Sequence, residues 1–107
     1  MITATIVKKP SGEYVGFQIS GHAGYEEAGK DIVCAAVSCL AINTANSIEA
    51  LTEDATHGQE EDGLLRFRLI GGCSEKSKLL LDSLVLGLNS IREQYGKEYL
   101  RISMKEL

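Results

Sequence analysis

The hydrophobic pattern of this chain switches repeatedly between two periods, and the order of the switches leaves few folds open. "ITATIVKK" is β-branched and alternates, the signature of a half-buried strand. Pro10-Ser11-Gly12 is a turn signal, and "YVGFQISG" then resumes the alternation with Val15, Phe17 and Ile19 on one face, so the pair predicts a β-hairpin. From Asp31, a good N-terminal capping residue, "IVCAAVSCLAINTANSIEAL" predicts a helix whose many small side chains permit close approach to a sheet or another helix. "LLRFRLIG" is a strand again, with Leu65, Phe67 and Leu69 alternating against Arg66 and Arg68. Ser74 can cap a second helix, in which Leu80, Leu84, Leu88 and Ile91 recur near a period of 3.6, and Gly96 is its stop. "EYLRISMKEL" closes the chain as a strand with Leu100, Ile102 and Met104 inward. The expected order is therefore β-β-α-β-α-β: an α/β domain of the α+β kind, with a mixed four-stranded sheet packed with two helices.

Two polar segments interrupt this pattern. "GHAGYEEAGK" holds Gly21, Gly24 and Gly29 with Glu26, Glu27 and Lys30 and reads as a loop; "TEDATHGQEEDG" reads as a second, acidic loop. At 107 residues the chain suits one domain, here residues 1–107. A formal net charge of -4 argues against a nucleic-acid binder working through a basic face. Three cysteines, two of them five positions apart on different faces of one helix, argue against a disulfide framework, and no secretory leader is visible. No apolar run approaches the ~20 residues of a membrane-spanning helix. A reduced, cytoplasmic protein with no membrane association is expected.

The first loop admits two chemical readings. "GYEEAGKD" has the spacing G-x-x-x-x-G-K of a phosphate-binding loop, with Gly24, Gly29 and Lys30 in place. Asp31 stands where that loop needs a Ser or Thr hydroxyl, and Glu26 and Glu27 would face a polyphosphate with like charge, which is costly. The second reading is covalent. At 100° per residue Asp31, Cys34, Ser38, Ile42 and Ala45 fall on one stripe of the helix, while Val33, Val37 and Leu40 point the other way. Cys34 then sits in the first turn, where unpaired N–H groups and the helix dipole stabilise a thiolate. His22, one loop away, can take the thiol proton. Against this stands the ordinary role of a cysteine as a small buried hydrophobe. Asp31 as a plain cap and Ser38 bonded to the preceding turn are equally ordinary. Cys39 points off the stripe and is expected in the core, Cys73 at the entry of the second helix, and His57 in a solvated acidic loop. His22 and the three cysteines have no metal-ligand spacing, so neither a metal nor a cofactor is expected.

"SGHAGY" followed by "GKDIVCAAVS" resembles the ribosomal-processing cysteine protease family, Prp, and the likeness extends over the whole chain. The paired motif fixes a glycine-histidine, a glycine-rich gap and an aspartate three residues ahead of the cysteine. The resemblance implies a cytoplasmic bacterial endopeptidase. It would remove a short N-terminal extension from the precursor of the large-subunit ribosomal protein L-twenty-seven, cutting after a hydrophobic stretch that ends in aromatic residues. It implies His22 as base, Cys34 as nucleophile, Gly21, Asp31 and Ser38 as supporting residues, a homodimer, and a loop between histidine and cysteine that orders on substrate. The residues add that Gly24 and Gly29 would hinge such a lid. Glu26 and Glu27 on it, with Glu60-Glu61-Asp62, would suit a lysine-bearing peptide or simply form a solvated face. Asp31 either orients His22 or only caps the helix. The rival functions are a non-catalytic ribosome-associated assembly protein and a small nucleotide-binding protein.

Overall fold

A computed structural model describes residues 1–21 and 31–107. The order is β1 (Ile2–Lys8), β2 (Tyr14–Gly21), α1 (Ile32–Leu51), β3 (Thr56–Glu61), β4 (Leu64–Leu69), α2 (Glu75–Tyr95) and β5 (Leu100–Glu106). The strands form one five-stranded sheet, β3-β4-β2-β1-β5. Among the described residues β1 and β5 pair in parallel and the other pairings are antiparallel. The α+β class and the mixed sheet agree with the pattern of periods, and the strand count is five rather than four. The additional strand is Thr56–Glu61, assigned above to an acidic loop. It pairs residue for residue with β4, from Thr56 opposite Leu69 to Glu61 opposite Leu64. Backbone bonds hold it, while from His57 onward its side chains are exposed, so no apolar alternation marks it.

Both helices lie on one face of the sheet. Ile2, Ala4 and Ile6 of β1 join Phe17, Ile19, Phe67, Leu69 and Leu100 in a single core with Val33, Val37, Ala41 and Ile48 of α1 and Leu81, Leu84 and Leu88 of α2. The Phe17 and Phe67 rings stack across β2 and β4 with centroids 5.3 Å apart, a cross-strand aromatic pair that helps fix this register. The two helices approach closely: an added Cβ at Gly87 would lie 2.5 Å from one Leu40 methyl. The odd-numbered residues of β1, Thr3, Thr5 and Val7, point to the opposite face, against which neither helix packs.

The caps follow the sequence. Ser74 accepts from the Ser77 amide at the start of α2, and Gly96, at φ 120°, ends that helix. Three expectations fail. Met104, placed inward, is 58% exposed, because edge strand β5 runs out beyond the helical cover. Cys39, placed in the core, is exposed, because only one side of α1 is covered. α1 itself is long and apolar enough by length and composition to cross a membrane. Polar Ser, Asn and Thr residues interrupt its apolar runs and hid this in the sequence. Its buried residues recur every three to four positions toward the core, the pattern of a helix packed on one side.

Candidate active site

Asp31 organises the start of α1. Its Oδ1 accepts from the Val33 and Cys34 amides, each at 3.0 Å, and its carbonyl accepts from Ala35. Capping is thus one role of Asp31, and it has two consequences. Cys34 is fixed in the first turn with its backbone held rigidly. Of the first-turn donors, the Val33 and Cys34 amides are engaged by a carboxylate, so these two are not the unpaired N–H groups that the helix start was expected to offer a thiolate. The same bonds count against a nucleotide loop, since a carboxylate occupies amides that would otherwise cradle phosphate.

Cys34 is half-buried and opens on a cleft of about 550 Å³. Cys34, Ser38 and Ile42 form one wall, so three members of the predicted helical stripe do share one face. Ile19 and Gly21 of β2 contribute the floor. The opposite wall is the β3–β4 hairpin, with Glu60, Glu61 and Asp62 leading into Gly63, Leu64 and Leu65. One cleft therefore joins Gly21, Cys34 and Ser38, with Asp31 at the helix end beside Cys34. His22, Gly24, Glu26, Glu27, Gly29 and Lys30 lie outside the described residues.

Gly21 is required where it stands. Its φ is 87°, and an added Cβ would lie 2.5 Å from the Met1 carbonyl oxygen. Its amide donates to Gly63 at 2.9 Å, which ties the end of β2 to the hairpin turn. The acidic run of the hairpin wall, Glu60-Glu61-Asp62, was weighed for the peptide from sequence, whereas Gly63, Leu64 and Leu65 were not assigned to the site. Asp62-Gly63 is a recognisable turn dipeptide and was the available signal; Gly63 has φ 73°.

The remaining candidates separate from the site. His57 is exposed on edge strand β3, opposite Arg68. Cys73 does sit at the entry of α2, with its Sγ donating to the Ser74 carbonyl. Burial pushes its thiol up from the ordinary range, and the carboxylates of Asp54, Glu13, Glu75 and Asp82 add to this. A protonated thiol among carboxylates is a poor nucleophile. The three cysteines form no disulfide.

A helix-start cysteine in a cleft on an α+β sheet is an arrangement suited to a thiol hydrolase. Known proteins agree: a family model described as cysteine protease Prp matches residues 1–100. The ribosomal processing cysteine protease Prp of Staphylococcus aureus (strain Mu50 / ATCC 700699) is 30% identical, over 98% of this chain and 100% of its own. The protein of that name from Bacillus subtilis (strain 168) is 29% identical over 96% of each chain. Two crystal structures of the essential ribosomal processing protease Prp from S. aureus are similar over 98% of this chain and all of theirs. One, in complex with a covalently linked product peptide, has a TM-score of 0.91 at 30% identity. The other, with a substrate peptide, has a TM-score of 0.86 at 29% identity. The chain belongs to the Prp family of cysteine proteases, which displaces the nucleotide-binding and non-catalytic readings.

Proposed function

We propose that residues 1–107 form one protease domain that removes the N-terminal extension of the ribosomal protein L-twenty-seven precursor, with Cys34 as nucleophile and His22 as base. The observation that carries this is the position of Cys34, in the first turn of α1 and on the wall of a cleft of about 550 Å³. Peptide complexes of the S. aureus relatives support it.

In the first step the Cys34 sulfur bonds to the scissile carbonyl carbon while its proton passes to the His22 imidazole. The carbonyl oxygen gains the negative charge, and the Ile32 amide is the backbone donor proposed to meet it; losing one such donor costs about 3 kcal/mol in comparable sites. The carbon–nitrogen bond then breaks, and the leaving amine takes the proton from His22. Water, deprotonated by the same imidazole, adds to the thioester, and cleavage of the carbon–sulfur bond releases the acid and restores the thiol. Ser38, one turn above Cys34, and Gly21 support the site from its wall and floor. Asp31 supports the site by holding the helix start.

Ile19, Ile42, Leu64 and Leu65 give the cleft apolar surface for a hydrophobic segment ending in aromatic residues. The Glu60-Glu61-Asp62 rim, with Glu26 and Glu27 on a lid hinged at Gly24 and Gly29, favours a lysine on the peptide. We also propose a cytoplasmic homodimer. Leu79 and Leu86, 70% and 71% exposed and one heptad apart on the outer side of α2, are the apolar surface that supports association. The test is to incubate the protein with the precursor's N-terminal segment and with a peptide carrying an aromatic pair before a small residue. Hydrolysis into two fragments at that bond is expected from each, with KM for a lysine-bearing peptide raised by Glu60→Gln and Glu61→Gln. An intact precursor would refute the assignment of substrate.

A further inference from the structure

The net charge of -4 conceals a strong segregation of charge. The helix-free face of the sheet carries Arg66 and Arg68 on β4 and Arg101 and Lys105 on β5, all exposed. Among the described residues of the five strands, Glu61 at one corner is the carboxylate on that face. The register sets the pattern. One row across β4, β2, β1 and β5 reads Arg66, Gln18, Thr5, Ser103, and the next reads Leu64, Ser20, Thr3, Arg101. Cations thus stand at two margins with a strip of hydroxyl and amide side chains between them. Adjacent strands lie about 4.8 Å apart, so the margins are separated by three intervals, about 14 Å. Arg66 lies along the surface, its Nε donating to Gln18 Oε1 at 3.1 Å.

This surface fits one kind of partner. A second copy would oppose like charges. A protein partner would need an apolar centre, and among the described residues the apolar side chains off the core here are few and scattered, Val7, Val15 and Leu64. Single-stranded nucleic acid would need aromatic platforms, and none of these residues is aromatic. Double-stranded RNA presents a wide, shallow minor groove lined by 2′-hydroxyls and flanked by phosphates. We propose that the helix-free sheet face binds double-stranded RNA, with Arg66, Arg68, Arg101 and Lys105 on phosphates and Thr3, Thr5, Ser20 and Ser103 toward the 2′-hydroxyls. The binding is blind to base sequence, because the cations meet backbone rather than base edges. It meets the cleft only at the corner of Glu61 and Leu64, its cations lie outside the cleft lining, and it does not depend on the peptidase assignment.

The experiment is fluorescence anisotropy of a labelled 20-base-pair RNA duplex titrated with the full chain, beside a DNA duplex of the same sequence. Micromolar binding at low salt is expected, with log K falling against log salt at a slope of about -3 to -4 for four phosphate contacts. The Arg68→Gln/Lys105→Gln variant should bind at least tenfold more weakly, whereas Lys76→Gln, on α2, should leave binding unchanged. These side chains are exposed, and an unaltered thermal melt checks that the variants fold. Absence of binding, equal affinity for the DNA duplex, or equal losses in the Lys76→Gln control would overturn the proposal.

Discussion

The amide of Cys34 donates to Oδ1 of Asp31 at 3.0 Å, and the same oxygen takes the amide of Val33. A carboxylate is therefore built into the helix turn that carries the proposed nucleophile. Its charge opposes a thiolate there, while its bonds hold the turn in place. Asp31→Asn separates the two effects, since asparagine caps about as well as aspartate. We expect stability within about 0.5 kcal/mol of wild type. With one like charge removed, the pH profile of Cys34 alkylation, read in a Cys39→Ser/Cys73→Ser background, should move to lower pH. Asp31→Ala should cost about 1 kcal/mol in a denaturant melt. A profile that moves to higher pH in Asp31→Asn would mean that Asp31 acts chiefly by holding His22.

Gly21→Ala should damage fold and site together. The backbone there has φ 87°, and the new Cβ would lie 2.5 Å from the Met1 carbonyl oxygen. The conformational cost alone is about 1–2 kcal/mol, and the clash adds to it. Peptidase activity should fall further than the melt predicts, because Gly21 also forms part of the cleft floor. Activity and a melting curve equal to wild type would remove Gly21 from the account.

The acid limb of the stability curve follows from two carboxylates. Hydrogen bonds from Ser77, then from the hydroxyl and amide of Ser74, hold Asp54 below its usual range. The Tyr14 hydroxyl, then Lys78, does the same for Asp82. Burial, followed by the bond to Asp82, pushes the Tyr14 phenol up. A carboxyl depressed in the folded state stabilises fully above its unfolded pKa of about 3.9, and the contribution is lost as pH falls through the folded value. Stability measured by denaturant from pH 7 to pH 3 should therefore drop below about pH 5. Asp54→Asn should be less stable at pH 7 and flatter on that acid limb. An unchanged slope would show that Asp54 does not carry the linkage.

How much of this was legible beforehand depended on how local each signal is. Caps are local: Asp31, Ser74 and Gly96 depend on their own turn, and all three occur as the sequence indicates. The stripe joining Cys34, Ser38 and Ile42 needed only helical geometry. Thr56–Glu61 did not announce itself as a strand because backbone pairing to β4 holds it, and five of its six residues are exposed. Cys39 was misplaced because small apolar residues encircle α1, so composition alone does not reveal which side is covered. Met104 alternates correctly in sequence, but alternation does not reveal where helical cover ends. The pairing of His22 with Cys34 rests on the sequence and the family resemblance.

The central claim is tested most directly by the cleavage rate of the precursor's N-terminal segment with the thiols separated. The Cys39→Ser/Cys73→Ser protein should cleave at about the wild-type rate. Cys34→Ala, shown by its melt to be folded, should lose at least about 10⁴-fold in kcat/KM, as removal of a covalent nucleophile does elsewhere. Cleavage by Cys34→Ala at the wild-type rate would contradict the account.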